Sequence, residues 1–345
     1  MTTPFFTETE VFTSGAEGYH TFRIPALAVA PDGSLMAFCE GRKNGMEDYD
    51  ALYIILKRST DDGLNWERMQ ILYGDGKHTF HNPTVVVDNQ TGTIWLSFNR
   101  DACNSYVMSS NDNGITWSTA VDITQQVNPK KWPFYAMAPG HGIQLGTGRL
   151  IIPANHGSSN RRDSIFARSH IIYSDDHGAT WKLGGNTLGG GSECEVIETS
   201  DQSLYMTIRS TTPLKNQRLY STSNDDGITW SELQVVEGMQ DAICQASITR
   251  YTTASKHGRD LVVLANIHSD TRDHITLHLS YDECITWFAA KILYIGPAAY
   301  SDLAVTPDMT INCLYERGTS SPYDSIRLAR FNLDWLTNCD DSPSQ

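Results

Sequence analysis

Residues 18–42 read GYHTFRIPALAVAPDGSLMAFCEGR, two apolar runs on either side of the turn Pro31-Asp32-Gly33. Apolar runs of this length around a Pro/Asp/Gly turn predict a β-hairpin. Comparable β-rich runs recur along the chain, among them DALYIILKR, SYVMSSN and SHIIYSD. No long stretch shows the 3.6-residue period of an amphipathic helix, so the pattern predicts an all-β protein.

Five octets of the approximate form S-x-D-x-G-x-T-W recur between these runs, and five of the eight tryptophans fall in them. The octets are STDDGLNW (59–66), SNDNGITW (110–117), SDDHGATW (174–181), SNDDGITW (223–230) and SYDECITW (280–287). In each, the aspartate can accept backbone hydrogen bonds across a turn, the glycine supplies a positive φ, and the tryptophan anchors the turn in an apolar seam. Cys284 replaces the glycine in the fifth octet, so we expect that turn to be strained or reshaped.

The octets recur about every 55 residues, and repeats of this size, each built of about four strands, indicate a β-propeller. A chain of 345 residues then forms roughly six blades, one of them without a recognisable octet. We therefore predict an all-β, six-bladed propeller that occupies residues 1–345 as a single domain, with a short flexible tail from about residue 337. The octets themselves are interpreted as structural turns at the blade edges.

Composition argues against several classes of partner and site. The formal net charge is −14, which opposes binding to nucleic acid or to an anionic membrane. No apolar run approaches the length of a membrane span, and no secretory signal is visible at the N-terminus, so we expect a cytoplasmic protein. The seven cysteines are scattered without a C-x-x-C pair. This spacing predicts reduced, mostly buried thiols and neither a disulfide framework nor a zinc site.

Arg23 interrupts the first apolar run, between Phe22 and Ile24, where a core strand usually carries an aliphatic side chain. An arginine on an edge strand that reaches solvent is the simpler interpretation. If the guanidinium is buried instead, it requires a negative group close by, because an unpaired buried charge is strongly unfavourable.

The octets resemble the Asp boxes of sialidases, and FRIP (22–25) resembles the N-terminal signature of that family. Four further segments resemble the cytosolic animal sialidases and their bacterial relatives: APGHGIQL (138–145), SECEV (192–196), AYSDL (299–303) and CLYE (313–316). The resemblance extends from Arg23 to about Arg317. It implies a sialidase propeller that hydrolyses terminal α-linked sialic acids with retention, on sialylated oligosaccharides, glycoproteins or glycolipids, without a cofactor or metal.

The resemblance also implies roles for individual residues. Arg23, Arg209 and Arg272 are implied to bind the sugar carboxylate, and Glu316 to form a salt bridge with Arg23. Asp48 is implied to be the acid/base residue, Tyr300 the nucleophile, and Glu193 the residue that activates it. Four more residues are implied to shape the pocket: Glu40 and Arg42 near the sugar's 4-hydroxyl, and Asn82 and His141.

The physical chemistry of this set is consistent with a sialic acid substrate, which carries a carboxylate on its anomeric carbon. Forked guanidinium groups suit a planar carboxylate, and several bind it far more strongly than one lysine. A neutral phenol avoids repulsion between two carboxylates, and sialidases with a tyrosine nucleophile are a known exception among retaining glycosidases. Tyrosine has an ordinary pKa of about 10 and therefore needs a base within hydrogen-bond reach. On this hypothesis Arg23→Ala abolishes turnover and leaves the protein folded.

The residues alone leave several choices open. The partner of Tyr300 is Glu193 or Glu195, and the acid is Asp48 or one of its neighbours Glu47 and Asp50. The third arginine is Arg272 or Arg259. Glu40 and Arg42 either line the pocket or form a structural ion pair. The alternative functions are a trans-sialidase, a hydrolase of a related nonulosonic acid, and a non-catalytic glycan-binding propeller. The sequence carries no prediction of the oligomeric state.

Overall fold

The structure, a computed structural model, describes residues 3–158, 166–211 and 216–340. The strands in these ranges, in chain order, are β1 Phe6–Thr13, β2 Thr21–Val29, β3 Leu35–Arg42, β4 Leu52–Ser59, β5 Gln70–Tyr73, β6 Phe80–Val87, β7 Ile94–Arg100, β8 Asn104–Ser110, β9 Val121–Asp122, β10 Phe134–Met137, β11 Gly140–His141, β12 Ile143–Gln144, β13 Leu150–Gly157, β14 Arg168–Ser174, β15 Lys182–Asn186, β16 Gly191–Glu198, β17 Leu204–Ser210, β18 Gln217–Ser223, β19 Gln234–Gln240, β20 Ser247–Thr252, β21 Leu261–Ile267, β22 Asp273–Ser280, β23 Phe288–Val305, β24 Ile311–Arg317 and β25 Ser325–Phe331.

Helices are confined to three single turns within the described ranges: α1 Thr124–Val127, α2 Ala254–His257 and α3 Leu333–Leu336. None of these helices has the length or the apolar composition that a membrane crossing requires. The predicted all-β class is therefore confirmed. The predicted tail from about residue 337 lies in part outside the described residues, which end at residue 340.

The strands form five sheets, in which most neighbours along the chain pair antiparallel as meanders. Two sheets are β2–β5 and β16–β19. In a third, β11 joins β6–β9 by pairing in parallel with β6, and in a fourth, β10 and β12 both pair with β13, which continues into β14 and β15. The fifth sheet has seven strands because the long β23 pairs with β22 through its first half and with β24 through its second. The strands thus fall into six groups of about four.

The N-terminal strand completes the last of these groups. β1 pairs with β25, so the two ends of the chain close one sheet together. The predicted hairpin at residues 18–42 is present as β2 and β3, with a hydrogen bond of 2.8 Å from the Ala30 N–H to the Ser34 carbonyl across the turn.

Each octet lies in the turn between the third and fourth strands of its group. In the second octet, Asp112 Oδ1 accepts from the Thr116 N–H at 2.9 Å and from the Ser110 hydroxyl at 2.8 Å, and Gly114 has a φ of 79°. Cys284 keeps the same turn with a φ of 69°, a strained conformation for a residue with a Cβ, as predicted. The sixth group takes its fourth strand, β1, from the N-terminus. It therefore has no third-to-fourth turn that could carry an octet.

Apolar clusters between adjacent groups form the interior, and each octet tryptophan packs with a different one. These tryptophans are Trp66, Trp117, Trp181, Trp230 and Trp287. The predicted anchoring of the turns in apolar seams is confirmed.

All seven cysteines are free thiols, as predicted. Five are buried, Cys103 is half-buried and Cys339 is exposed. Burial raises the pKa of the Cys194 thiol to about 12, which keeps this thiol protonated and unreactive.

Neighbouring groups contact one another in a cyclic order, and the first strands of four groups carry a β-bulge. The bulges fall between Arg23 and Ala26 in β2, His81 and Thr84 in β6, Gly191 and Cys194 in β16, and Ala298 and Ser301 in β23. Bulges re-aim side chains and are enriched next to active sites. Four of the residues singled out by the sequence lie at these bulges: Arg23, Asn82, Glu193 and Tyr300.

Candidate active site

Tyr300 and Glu193 form the centre of the candidate site. The Tyr300 hydroxyl lies 2.7 Å from both carboxylate oxygens of Glu193, on β23 and β16 respectively. Arg209, on β17, donates from Nη1 to Glu193 Oε2 at 2.7 Å and to the Tyr300 hydroxyl at 2.9 Å. All three side chains are buried. A phenol that contacts a carboxylate and a guanidinium at once has both a proton acceptor and a cation beside its oxygen.

Arg23 is buried and paired with Glu316. Its Nε and Nη2 donate to the two Glu316 oxygens at 3.1 and 3.3 Å. The same carboxylate accepts from the backbone N–H groups of Ile24, at 2.8 Å, and Tyr300, at 3.1 Å. The negative group that the sequence required for Arg23 is therefore present. Its extra bonds fix Glu316 between β2 and β23.

Arg272 lies directly before β22 and meets Tyr323, which lies between β24 and β25. Arg272 Nη1 donates to the Tyr323 hydroxyl at 2.7 Å, and the Arg23 guanidinium stacks 3.9 Å from the centre of the Tyr323 ring. Both guanidinium groups also lie 5.4 Å from the centre of the Tyr300 ring. Tyr323 therefore holds two of the three arginines through different parts of one side chain. Sequence reasoning missed this residue.

Asp48 lies in the loop between β3 and β4, on the other side of Arg23. Its Oδ1 is 2.9 Å from Arg42 Nη1 and 3.6 Å from Arg23 Nη1, and its side chain is 34% exposed. Of its neighbours, Glu47 is exposed and Asp50 binds elsewhere in its own loop. These contacts with the arginines favour Asp48 as the acidic residue of the site.

Glu40 and Arg42 form a buried ion pair on β3, with Arg42 Nη2 2.5 Å from Glu40 Oε2. Burial raises the pKa of Glu40, although Arg42 opposes the shift. The other Glu40 oxygen accepts from the Asn82 N–H at 2.9 Å, while the Asn82 side chain donates to the Met137 carbonyl at 2.7 Å. The pair therefore orients Arg42 toward Asp48, and Asn82 ties β6 to β10.

Three other sequence candidates lie away from the Tyr300 hydroxyl. His141 bonds to Asp302, two residues beyond Tyr300, at 2.6 Å. Glu195 lies at the same deeper level, with Oε2 3.7 Å from His141 Nδ1, so Glu193 is the glutamate that contacts the phenol. Arg259 stacks near Tyr281, 6.0 Å from the ring centre, whereas Arg272 reaches the site.

Buried carboxylates accept hydrogen bonds from backbone N–H groups of the first strands. An exposed strand edge leaves unpaired N–H groups, which require acceptors when they are buried. The acceptors here are Glu316 for Ile24 and Tyr300, Asp302 for Leu27, Glu195 for Ile248, and Glu40 for Asn82. The carboxylates that orient the site are therefore also part of the hydrogen bonding of the fold.

The chain is similar to known proteins along most of its length. A BNR repeat-like domain matches residues 17–313. A sialidase from Micromonospora viridifaciens is 32% identical over 96% of this chain and 55% of its own length, and sialidase-3 from Mus musculus is 27% identical over 99% and 98%. The solved structure of Hadza microbial sialidase Hz136 superposes with a TM-score of 0.85 and 27% identity, over 95% of this chain and 68% of that one.

These matches define the class of the protein. The chain belongs to the BNR repeat-like family, and it is similar along nearly its whole length to bacterial and animal sialidases. It spans about half the length of the M. viridifaciens relative.

Proposed function

We propose that the protein is an exo-α-sialidase that hydrolyses terminal α-linked sialic acids of oligosaccharides, glycoproteins or glycolipids, with retention of configuration. The observation that carries the proposal is the setting of Tyr300. Its hydroxyl lies 2.7 Å from Glu193 and 2.9 Å from Arg209 Nη1, and the Arg23 and Arg272 guanidinium groups lie 5.4 Å from the centre of its ring. A carboxylate nucleophile would repel the carboxylate of a sialic acid, and a phenol avoids that repulsion.

Substrate binding uses the positive charge of Arg23, Arg209 and Arg272. Their guanidinium groups converge on Tyr300 from three groups of strands, and planar guanidinium groups bind a carboxylate through paired hydrogen bonds. A protein of net charge −14 would otherwise repel an anionic sugar, so this local positive cluster is what admits it. Binding through the carboxylate sets the anomeric carbon beside the Tyr300 hydroxyl.

The first chemical step replaces the glycosidic bond with a bond to the enzyme. Glu193 takes the phenol proton while Tyr300 Oη attacks the anomeric carbon. Asp48 gives its proton to the glycosidic oxygen, the bond from the anomeric carbon to that oxygen breaks, and the aglycone leaves as an alcohol. Arg209, which donates to both Tyr300 and Glu193, favours the developing phenolate by its positive charge.

The second step releases the sugar. Asp48, now a carboxylate, takes a proton from water as the water oxygen attacks the anomeric carbon. The bond to Tyr300 breaks, and the phenolate recovers its proton from Glu193. Two inversions at one carbon give net retention.

For the architecture we propose a single catalytic domain in the form of a six-bladed β-propeller. The six strand groups, the cyclic contacts between neighbouring groups and the closure of the last group by β1 support this arrangement. One such group would form each blade. The site then receives residues from several blades, which explains their spread from Arg23 to Tyr323.

The test is hydrolysis of a fluorogenic α-sialoside by the wild type and by Tyr300→Phe, with the product anomer followed by proton NMR. We expect the wild type to release the α-anomer first and Tyr300→Phe to lose about 10³-fold or more in kcat. Tyr294→Phe is the matched control, because Tyr294 lies on the same strand and donates to the Gly318 carbonyl at 2.7 Å, outside the site.

Each other outcome has a defined meaning. Initial release of the β-anomer would contradict retention. Transfer of the sugar to added lactose in preference to water would indicate a trans-sialidase. Absence of turnover by the folded wild type would contradict the proposal, and a panel of related nonulosonic acid glycosides would then separate a different hydrolase from a glycan-binding protein.

A further inference from the structure

Directly below the candidate site lies a second polar cluster, formed by His141, Glu195 and Asp302. Glu195 follows Glu193 by two residues on β16, and Asp302 follows Tyr300 by two residues on β23. Alternate residues on a strand share a face, so these carboxylates lie about 7 Å further along the same faces. His141 Nδ1 bonds to Asp302 Oδ1 at 2.6 Å and lies 3.7 Å from Glu195 Oε2. We name this cluster the axial hub.

Asp302 connects the axial hub to several strands. Its Oδ2 accepts from the Leu27 N–H of β2 at 2.6 Å, and its Oδ1 accepts from the Ser247 hydroxyl of β20 at 3.1 Å. The Leu303 N–H donates to the Ser247 hydroxyl at 2.9 Å. One buried carboxylate thus joins β2, β20 and the strand of the nucleophile, in addition to β11 through His141.

Glu195 reaches the nucleophile's strand by a second route. Its Oε1 accepts from Gln245 Nε2 at 3.1 Å, and Gln245 Oε1 accepts from the Ser301 N–H at 3.1 Å. Its Oε2 accepts from the Ile248 N–H at 2.9 Å. The backbone N–H groups on either side of Asp302 therefore all donate to side chains. Tyr300 donates to Glu316, Ser301 to Gln245 and Leu303 to Ser247.

The catalytic pair needs such support because both of its members lie in bulges. Glu193 falls in the bulge between Gly191 and Cys194, and Tyr300 in the bulge between Ala298 and Ser301, where the ladder is interrupted. Glu195 and Asp302, in contrast, lie in regular register opposite Thr207 and Leu314. The hub is therefore anchored where the strands are regular, next to the two positions where they are not.

The side of the axial hub that faces away from Tyr300 is not filled by apolar side chains. Beyond the hub lies a cavity of about 350 Å³, lined in part by Leu27, His141, Ile197 and Leu303. Each strand residue in this set follows a site residue by three or four positions, so the cavity and the Tyr300 hydroxyl lie on opposite sides of the hub. The polar bonds of the hub, and not a packed apolar core, therefore separate the site from the cavity.

Electrostatics keep the hub assembled near neutral pH. Burial opposes protonation of His141, but the carboxylates of Asp302 and Glu195 outweigh it and raise its pKa to about 9. These two are the titratable groups that face the imidazole from the strands around it. Burial raises the pKa of Glu195 to about 8, although His141 opposes that shift. A protonated His141 donates to Asp302 and leaves the strongest contact of the hub charge-assisted.

The three hub residues are also potential metal ligands, with donor atoms within 4.8 Å of one another. In the hub, however, every carboxylate oxygen already accepts a hydrogen bond, from Leu27, Ser247, Gln245, Ile248 or His141. A protonated His141 has no lone pair at Nδ1, so an ion could bind there only after loss of that proton and of the bond to Asp302. The bonding pattern therefore fits a proton-linked hub and not a metal site.

We propose that the axial hub positions the nucleophile pair: His141, through Asp302 and Glu195, holds β23 and β16 so that the Tyr300 hydroxyl meets the Glu193 carboxylate. His141 is thus a positioning residue and not a pocket residue. The proposal rests on the proposed function for its kinetic consequence, but its geometric consequence does not depend on turnover.

The test compares His141→Ala, His141→Gln and the matched control His278→Gln. In His141→Gln the new amide can still donate to Asp302. His278 is likewise buried and hydrogen-bonded, to Asn266 at 2.8 Å, but it lies on β22 away from the hub.

A displacement of about 1 Å in a catalytic group lowers the rate about 10²-fold. We therefore expect kcat for a fluorogenic α-sialoside to fall about 10²-fold in His141→Ala, with KM within about twofold of wild type. His141→Gln should recover most of kcat, and His278→Gln should match the wild type.

Active sites are counted by titration with a 2,3-didehydro sialic acid analogue, so that loss of folded protein does not count as loss of kcat. Crystal structures supply the second readout, the distance from Tyr300 Oη to Glu193, which should lengthen in His141→Ala from 2.7 Å to beyond hydrogen-bond range. A wild-type distance and wild-type kcat in His141→Ala would overturn the proposal. So would one equivalent of metal in purified wild type that His141→Gln lacks. A lengthened distance in an enzyme whose wild type hydrolyses no sialoside would support the hub and refute the proposed function.

Discussion

The octet turns and the bulges of the first strands are both repeated features, but they repeat in different ways. The five octets repeat their residues as well as their geometry: an aspartate oxygen accepts the N–H four residues on at 2.8 or 2.9 Å in each copy. The four bulges repeat only the geometry. Each bulge presents a different residue: Arg23, Asn82, Glu193 or Tyr300.

The range of the contacts explains this difference. An octet satisfies its own polar groups within eight residues, so selection for the turn preserves a recognisable pattern. Site contacts join distant parts of the chain, as Arg23 and Glu316 lie 293 positions apart and Glu193 and Tyr300 lie 107 apart. Repetition therefore builds the scaffold, and departures from repetition build the site. Substitutions in the two regions should consequently affect different measured quantities.

Arg23→Ala should show the largest effect. Removing one partner of a buried charged pair lowers binding of the ligand carboxylate and leaves Glu316 buried without its cation, so we expect kcat/KM to fall about 10³-fold. The free energy of unfolding should also fall, by about 3–5 kcal/mol. The sequence-based hypothesis of an inactive but folded variant thus gains a qualification, because the variant folds with reduced stability. Denaturant unfolding and sialoside kinetics measure the two effects.

The double variant Arg23→Ala/Glu316→Gln separates the loss of activity from the loss of stability. Replacing the carboxylate by an amide removes the unpaired charge, so part of the lost stability should return while activity stays low. Recovery of activity in this double variant would show that Arg23 matters only as the partner of Glu316, and the carboxylate-binding role would be refuted.

Gly178→Ala in the third octet should show the converse behaviour. Gly178 has a φ of 87°, and a Cβ built there would lie 2.1 Å from the Trp95 ring, which would have to move. Strain and overpacking together should lower the free energy of unfolding by about 2–4 kcal/mol. Because the octet is remote from Tyr300, kcat/KM per folded molecule should not change.

Cys284→Gly is the matched control for the octets. Cys284 already has a positive φ and a buried side chain, so the variant loses strain and packing together and should change stability by less than about 1 kcal/mol. A large loss of activity in either octet variant with retained stability would contradict the separation of scaffold and site.

Local patterns explain how much of the fold could be predicted from sequence. The hairpin at residues 18–42 and the five turns depend on short-range chemistry, and they are present as predicted. Even the group without an octet was expected, although its reason, the N-terminal origin of β1, requires knowledge of the pairing. The bulges were not predicted, because an extra residue in a strand is defined only by its partner strand.

In the candidate site, too, some residues could be identified from the sequence and others could not. Tyr300, Glu193 and the arginines were identified by their resemblance to a family, and the structure brings them together. The choice between Glu193 and Glu195 could not be made from strand alternation, since both lie on one face. The axial hub and Tyr323 remained unrecognised because their partners are distant in sequence, and Tyr323 lies in a loop without a periodic pattern.

Tyr323 provides the smallest and most specific test of the comparison. Tyr323→Phe keeps the ring that stacks 3.9 Å from Arg23 and removes only the hydroxyl that accepts from Arg272 at 2.7 Å. A hydrogen bond to a charged group contributes about 1.5–3 kcal/mol, so loosening of Arg272 should lower kcat/KM by about tenfold or somewhat more. Tyr323→Leu should lower it further, because the cation–π contact with Arg23 is lost as well. Tyr294→Phe, which also removes one half-buried hydroxyl contact, should leave kcat/KM unchanged. If Tyr323→Phe and Tyr294→Phe behave alike, the position of Arg272 does not depend on the Tyr323 hydroxyl.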